Sequence, residues 1–542
     1  MTRTVEELMI ELDAVKGKLD SVLPKLAKAR VAYLKNPSDI TKTVLEEIQA
    51  EAIELQQEYS QLVSLIPAVT GLSRDELDAL TKEVRGTRRT EYRLARESLT
   101  RNEIGPTAWI EDYLDAAIER VKSILPPRWL AEEPRYAAQT TSLAFGDGYL
   151  SLTKGLRPES EMHPIHRLRQ AIYVAEDFLQ DQPFYDQFAG CFLVPALTRL
   201  AIQEPNLKHV GGEREERLNH LWKGPSGQVD ATLFELLTAA GCVEKGREVE
   251  FISTTSEKSP DIRCYDPYPL VIECKKQASL SKYEAAEETI MRHLFLLLRI
   301  AARRHGLYGT FQLELTLEAS LIDADEIVRS LVSQRLLPNP SRRLTYSWGT
   351  SAFFPSQRRN PLPGPTRIYS PNMLKVLFGW ESDLPTWDGI CCSIDARGEP
   401  FVDEALEPIA LLWRNDSEIA LKKRSKAPLN LFSKASLQIP PGEFGIIYVS
   451  CVEGTRAKVA DMRQDAFADR LQAFEHSAKV RIPISLLVRL YPRCLDHGQP
   501  DLIESSVRYL SAEHGDADLF DRFPEMIFTH NDIEDESGEG SR

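Results

Sequence analysis

The chain has 542 residues, enough for three or four domains at about 150 residues each. With 42% hydrophobic and 27% charged residues, it has the balance of an ordinary globular protein, neither disordered nor membrane-spanning. A net charge of -15 argues against a surface that coats nucleic acid along its whole length, and leaves room for a local basic groove.

The start, "MTRTVEELMIELD", lacks the basic opening and apolar stretch of a secretory signal, so a cytoplasmic protein is expected. Eight cysteines include no C-x-x-C pair, which speaks against structural zinc and a disulfide framework. In residues 1–66, Leu8, Leu12, Val15, Leu19, Val22, Leu26, Ala29 and Tyr33 follow one another at steps of four and three. After "NPSD" the alternation resumes from Leu45 to Ile66. This predicts a helical hairpin, kinked at Pro24. It either packs on its own chain or serves as a dimerisation arm of a homo-oligomer; heptads do not say whose helix fills the seam.

Residues 67–210 read as a helical connector. Within it, "RGTRRTEYRLARESLTR" sets Arg85, Arg88, Arg89, Arg93, Arg96 and Arg101 against Glu91 and Glu97. In an acidic chain this is either a solvated helix face or a phosphate-contacting surface, with Arg88 and Arg89 the candidate substrate contacts. "HPIH", His163 to His166, has no evident third ligand and reads as a loop or helix start.

Residues 211–320 change character. A helix, "VDATLFELLTAA", precedes the strand-like "REVEFIS", two further strands around "DPYP", a helix from about Tyr283 to Arg304 and the strand-like "YGTFQLELTLE". The long helix has Glu284, Glu287 and Glu288 near its start and Arg303, Arg304 and His305 near its end, as the helix dipole favours. Its apolar middle predicts burial against the sheet, and is too short for a bilayer span. Residues 321–530 hold a Pro- and Arg-rich irregular stretch, a second basic cluster "LKKRSK", and strand candidates "DGICCSI", "IALLWR", "GIIYVSC" and "RIPISLLVRLY". They form either a separate α+β region or an extension of the central sheet. The acidic tail, 531–542, has a disordered composition.

The candidate chemistry lies in "SPDIRCYDPYPLVIECKKQ", Ser259 to Gln277. If the chain turns at Pro267, Asp261 sits across from Glu273. Strand side chains alternate, so Lys275 and Gln277 share the face of Glu273 while Ile272 and Cys274 point away. Two adjacent acids beside a core strand are costly unless a cation or an ion pair compensates, and the plainer reading is a surface hairpin with a Glu-Lys ion pair. Mg²⁺, or Mn²⁺, suits a pair of carboxylates completed by water and phosphate oxygens. The chemistry expected of such a site is hydrolysis of a phosphodiester bond.

Pro260-Asp261, eleven intervening residues and Glu273-Cys274-Lys275 resemble the signature of the PD-(D/E)XK nuclease superfamily, the restriction-endonuclease-like fold. Glu273-Cys274-Lys275 is the only [DE]-x-K triplet in the chain. The resemblance covers about 100 residues and implies an α/β core with a mixed sheet. Asp261 and Glu273 would ligate the metal, Glu235 on the preceding helix would assist, with Glu248 and Glu250 as rivals, and Lys275 would serve the attacking water. Gln277 matches an extra polar residue near substrate. The fold class expected is thus multidomain α+β: a helical hairpin and connector, a restriction-endonuclease-like core and a C-terminal α+β region. The function implied is metal-dependent cleavage of nucleic acid, DNA before RNA, as in restriction or anti-phage defence effectors. The alternative is a catalytically silent protein of the same fold that binds nucleic acid or acts as an assembly scaffold.

Overall fold

In the computed structural model of the chain, the segment Leu270–Lys276, which carries Glu273 and Lys275, is the central strand of a seven-stranded mixed sheet. The structure describes residues 11, 14, 15, 18, 50, 108–131, 150–153, 166–180, 185–253, 259–266, 268–277, 280–334, 341–380, 387–395, 401–453, 456–475, 481–494, 500–511 and 522–529. The predicted hairpin of residues 1–66, Arg88 and Arg89, and the tail 531–542 fall outside these residues, five scattered positions apart. The chain divides into two units, Met1–Glu103 and Ile104–Arg542. All the described strands, the motif strand included, belong to the second unit.

Its elements, in chain order, begin with α1 (Ala108–Ser123), α2 (Pro127–Ala131), β1 (Leu150–Thr153), α3 (Arg167–Leu179), α4 (Gln187–Leu207), β2 (Gly211–Gly212), α5 (Arg214–Lys223) and α6 (Val229–Glu244). Then come β3 (Val249–Phe251), β4 (Ile262–Cys264), β5 (Leu270–Lys276), α7 (Lys282–Arg304), β6 (Gly309–Leu315), α8 (Ala324–Ser333), β7 (Leu344–Tyr346), β8 (Gly349–Pro355) and β9 (Arg359–Arg367). The last are α9 (Pro371–Phe378), β10 (Gly389–Asp395), β11 (Phe401–Asn415), α10 (Glu418–Ser436), β12 (Phe444–Val452), α11 (Ala457–Glu475), β13 (Arg481–Cys494) and β14 (Pro500–Leu510).

The first sheet has the order β14-β13-β12-β5-β4-β3-β2. β5 runs antiparallel to β4 and parallel to β12. Its near-continuous apolar run follows from this position, because a strand with helices on both faces has no solvent side to leave polar. Leu270, Ile272 and Cys274 join a core with Phe192 of α4 and Phe234 and Leu237 of α6. Val271 points the other way, to Phe432 and Ala435 of α10 and Phe467 of α11. Glu273 and Lys275 share the parity of Val271.

The second sheet has the order β1-β10-β11-β6-β8-β7, with β9 also paired to β11. This arrangement changes two expectations. The strand after the long helix, β6, does not rejoin the motif sheet; it lies parallel to β11 in the second sheet. The place beside β5 is filled by β12, so the C-terminal region extends the central sheet. The helix α7 follows β6: Met291, Leu294, Phe295 and Leu298 pack on Phe311, Leu313 and Trp413 of the second sheet.

The Pro- and Arg-rich stretch also contains regular structure, β7 to β9. β9 carries Pro361, Pro363 and Pro365 yet pairs with β11 across a register shift between Val402 and Glu404. A proline-bearing strand is tolerated there because, among the described residues, β9 has one strand neighbour and its missing donors cost no ladder bond on the other side.

Charged residues tie the two sheets together. Glu284 completes a capping box with Ser281 and also accepts from Arg463 of α11 at 2.9 Å. Glu287 is bonded by Arg424 of α10 and by Asn415 Nδ2 at 2.7 Å. Arg424 also pairs with Asp388. The acids of α7 are therefore buried ion-pair partners as well as dipole ligands. Arg424, inside "LKKRSK", faces the interior, while Lys422 and Lys423 bond Glu418 and Glu318 at the surface.

Candidate functional site

β4 and β5 pair with Ile262 opposite Ile272 and Cys264 opposite Leu270. The paired register ends at Ile262 and Ile272, and Asp261 and Glu273 are the next residues outward on the two strands, beyond the last paired position. The Asp261 N–H donates to Ile272 O at 3.2 Å, and its Oδ2 accepts the Cys274 N–H at 2.8 Å. Asp261 is thereby fixed to the backbone between Glu273 and Lys275. Glu273 is fully buried, and Lys275 Nζ donates to its Oε1.

Glu235 approaches from α6, the helix on the Ile272 and Cys274 face. Its Oε2 accepts from Arg217 Nη1 at 2.7 Å, and Arg217 Nη2 stands 3.8 Å from Asp261 Oδ1. Arg217 belongs to α5, a mostly polar helix of which it and Leu221 are the buried residues. The start of α5 is set by β2, which pairs parallel with β3. Gly212 has φ +68, and a side chain there would run into the Phe251 carbonyl oxygen. Glycine is the residue that permits both the left-handed backbone and the close approach. The Arg217 guanidinium then lies 5.9 Å from the Phe251 ring centroid.

The cluster comprises three carboxylates, Glu235, Asp261 and Glu273, with two cations, Arg217 and Lys275. Burial pushes the Glu273 carboxyl up to about 9, Asp261 adds to the rise, and Lys275 opposes it. Burial likewise raises Glu235 to about 8, with Asp261 adding and Arg217 opposing. Burial alone would lower Lys275, but Glu273 and Asp261 outweigh it and raise its pKa, so Lys275 stays an ammonium.

The other predicted residues are placed less centrally. Gln277 follows β5, with its backbone N–H on Ser450 O at 2.8 Å. Glu250 takes the Tyr265 hydroxyl on the outer side of β3, and Glu248 is exposed. His166 caps α3, its Nδ1 accepting the Leu168 N–H.

Among the described residues, no group of three His, Cys, Asp or Glu side chains is arranged to hold a metal ion. Glu235, expected as a third ligand, is engaged by Arg217 instead. Asp261 and Glu273 still fit a hard divalent cation. Among the described residues, Glu273 Oε2 is buried with no hydrogen-bond partner. One or two carboxylates suffice for Mg²⁺, which keeps several of its waters. Sequence reasoning missed Arg217; the "GGEREER" stretch, with two glycines ahead of a short charged helix, was the available signal.

A scan of protein-family models and searches of curated proteins and of solved structures found no significant match to the chain. What is established is a mixed α+β architecture with two mixed sheets, and among the described residues no helix long and apolar enough to cross a membrane.

Proposed function

We propose that this protein is a metal-dependent nuclease of PD-(D/E)XK type, hydrolysing phosphodiester bonds of nucleic acid, DNA before RNA. The observation that supports this reading is the clustering of Asp261, Glu273 and Lys275, in which Asp261 is bonded to the Cys274 N–H, Lys275 pairs with Glu273 and, among the described residues, Glu273 Oε2 is buried without a partner. Asp261 and Glu273 would hold Mg²⁺ or Mn²⁺. When bound, the ion would polarise the scissile phosphate and acidify a coordinated water.

The remaining roles belong to the chain's own side chains. The Cys274 amide keeps Asp261 aimed along β5. Lys275, protonated and partly exposed, can orient a water and neutralise charge on the phosphate as it develops. Gln277, the residue after β5, would make a further polar contact with substrate. Assignment to restriction or anti-phage defence rests on likeness of motif alone.

The competing reading, a catalytically silent nucleic-acid-binding or scaffolding protein, draws on Glu235 and Glu273 being already paired with Arg217 and Lys275. One experiment separates the two. Plasmid DNA, linear DNA and RNA are incubated with the chain in Mg²⁺ or Mn²⁺, beside Asp261→Ala and Lys275→Ala. Cleavage that needs the ion and is lost in both variants supports the nuclease; no cleavage of any substrate by the native chain sinks it.

A further inference from the structure

Arg217 lies beside two of the three carboxylates of the cluster, Glu235 and Asp261. Its side chain is 7% exposed, with Nη1 2.7 Å from Glu235 Oε2 and Nη2 3.8 Å from Asp261 Oδ1. Its Nε is buried and has no hydrogen-bond partner among the described residues. A settled buried arginine commonly grips one carboxylate with two parallel bonds. Arg217 instead spreads over two acids, one at the edge of ion-pair range, and leaves a donor unused. Among the described residues, Glu273 Oε2 is likewise a buried polar atom with no hydrogen-bond partner. The ion-free site thus has a cation that serves its acids incompletely.

We propose that Arg217 is a built-in competitor for the divalent ion. It stabilises Asp261 and Glu235 while no ion is bound, must yield Asp261 when one binds, and so sets the metal concentration the site requires. This rests on the reading of Asp261 and Glu273 as ion ligands. A dication on Asp261 would lie close to the guanidinium, and like charges at that distance repel. Arginine keeps its charge throughout the accessible pH range, so deprotonation gives no relief and the side chain has to move. Movement is available, because Glu235 can retain Nη1 while Nη2 swings from an oxygen it holds only at 3.8 Å. Arg217 is in this sense a positioning residue: it acts on the ion through the carboxylates and touches no reacting atom.

The test is Mn²⁺ binding to the full chain by titration calorimetry, comparing the native protein with Arg217→Gln and the charge-retaining Arg217→Lys. Arg217→Gln is expected to bind Mn²⁺ at least tenfold more tightly, about 1.4 kcal/mol, and Arg217→Lys to stay within about threefold of the native protein, on the same conversion. A residue that only supports the fold would give the opposite sign. Affinity in a folded Arg217→Gln equal to or weaker than native overturns the proposal and leaves the nuclease reading standing. If neither protein takes up Mn²⁺, both fall. If Arg217→Gln does not fold, a crystal structure of the native chain with Mn²⁺ decides. Nη2 displaced from Asp261 supports the proposal; an Asp261 carboxylate that holds the ion with Nη2 still in place overturns it.

Discussion

Asp261 is bound to the backbone of Cys274: its Oδ2 accepts that N–H at 2.8 Å, at the point of β5 flanked by Glu273 and Lys275. The bond joins the two halves of the candidate site through main chain, so the carboxylate keeps its position without help from any mobile side chain. Asp261→Asn retains an oxygen for the amide and removes the charge. The fold is expected to survive this change. The melting temperature should rise with millimolar Mn²⁺ in the native chain and stay flat in Asp261→Asn, as ligand linkage requires. An equal rise in both would place the ion elsewhere.

Lys275 and Glu273 form the second relationship open to direct measurement. Glu273 is fully buried and its carboxyl is raised to about 9, so above that pH it is a buried charge, and such a charge stripped of its partner costs up to about 3–5 kcal/mol. Lys275→Met should therefore destabilise the ion-free chain by up to about that amount in urea unfolding above pH 9, and by less below it. Adding Glu273→Gln should recover much of it, since the orphaned charge is then gone. Additive losses would show that the two side chains do not act as a pair.

The raised carboxyls of Glu235 and Glu273 predict the direction of the pH dependence. Between the ordinary carboxyl value of 4.5 and about 8 for Glu235, or about 9 for Glu273, the folded chain holds protons that the unfolded chain has released. Stability then falls as pH rises through that window. In the ion-free protein, the melting temperature is expected to decline from pH 5 to pH 9, and Glu235→Gln to decline less steeply. A slope unaffected by Glu235→Gln would mean that this carboxyl does not titrate in the window.

These groups also show which parts of the molecule were legible in the sequence. The pairing of β4 with β5, Ile262 opposite Ile272, followed from residue numbers alone, because an antiparallel pair fixes its partners once its turn is fixed. The strands β10 to β13 stood out as apolar runs. The neighbour of β5 did not, since parallel pairing joins segments distant in sequence and leaves no local signal: β12 lies about 170 residues beyond β5. β6 and α7 kept their predicted type and order while joining the other sheet. Arg424 looked like part of a surface cluster because a charge count cannot see the Glu287 and Asp388 that meet it in the interior. Arg217 was hidden for the same reason.

The shelf that aims Arg217 can be tested at Gly212. An alanine there would need φ near +68 and would overlap the Phe251 carbonyl oxygen. Strain of this kind costs about 1–3 kcal/mol, and the pairing of β2 with β3 would have to open to relieve it. Gly212→Ala is expected to lower the melting temperature. It should also shift Mn²⁺ affinity, because the start of α5 moves. Native stability and native affinity together would show that β2 does not position Arg217.

The last prediction concerns the segment 522–529, which closes over the core beside the candidate site. Glu504 of β14 is buried and accepts the backbone N–H groups of Ile527, Phe528 and Thr529 at 2.8 to 3.0 Å. Held this way, Phe528 lies parallel to Phe234 of α6, centroids 5.8 Å apart, one residue before Glu235. Phe528 also receives Lys276, the residue after Lys275, with Nζ 5.1 Å from its ring centroid. Glu504→Ala would strand several buried donors at once, at about 1–3 kcal/mol each where water cannot replace the carboxylate. The segment should then detach before the rest of the unit unfolds. Limited proteolysis with mass mapping is expected to find new cuts within 522–529 in Glu504→Ala, and Mn²⁺ affinity to weaken as α6 loses its packing partner. Glu504→Gln keeps one acceptor oxygen and should fall between the two. Protection of 522–529 equal to that of the native chain would mean that aromatic packing alone holds the segment and that the Glu504 bonds are dispensable.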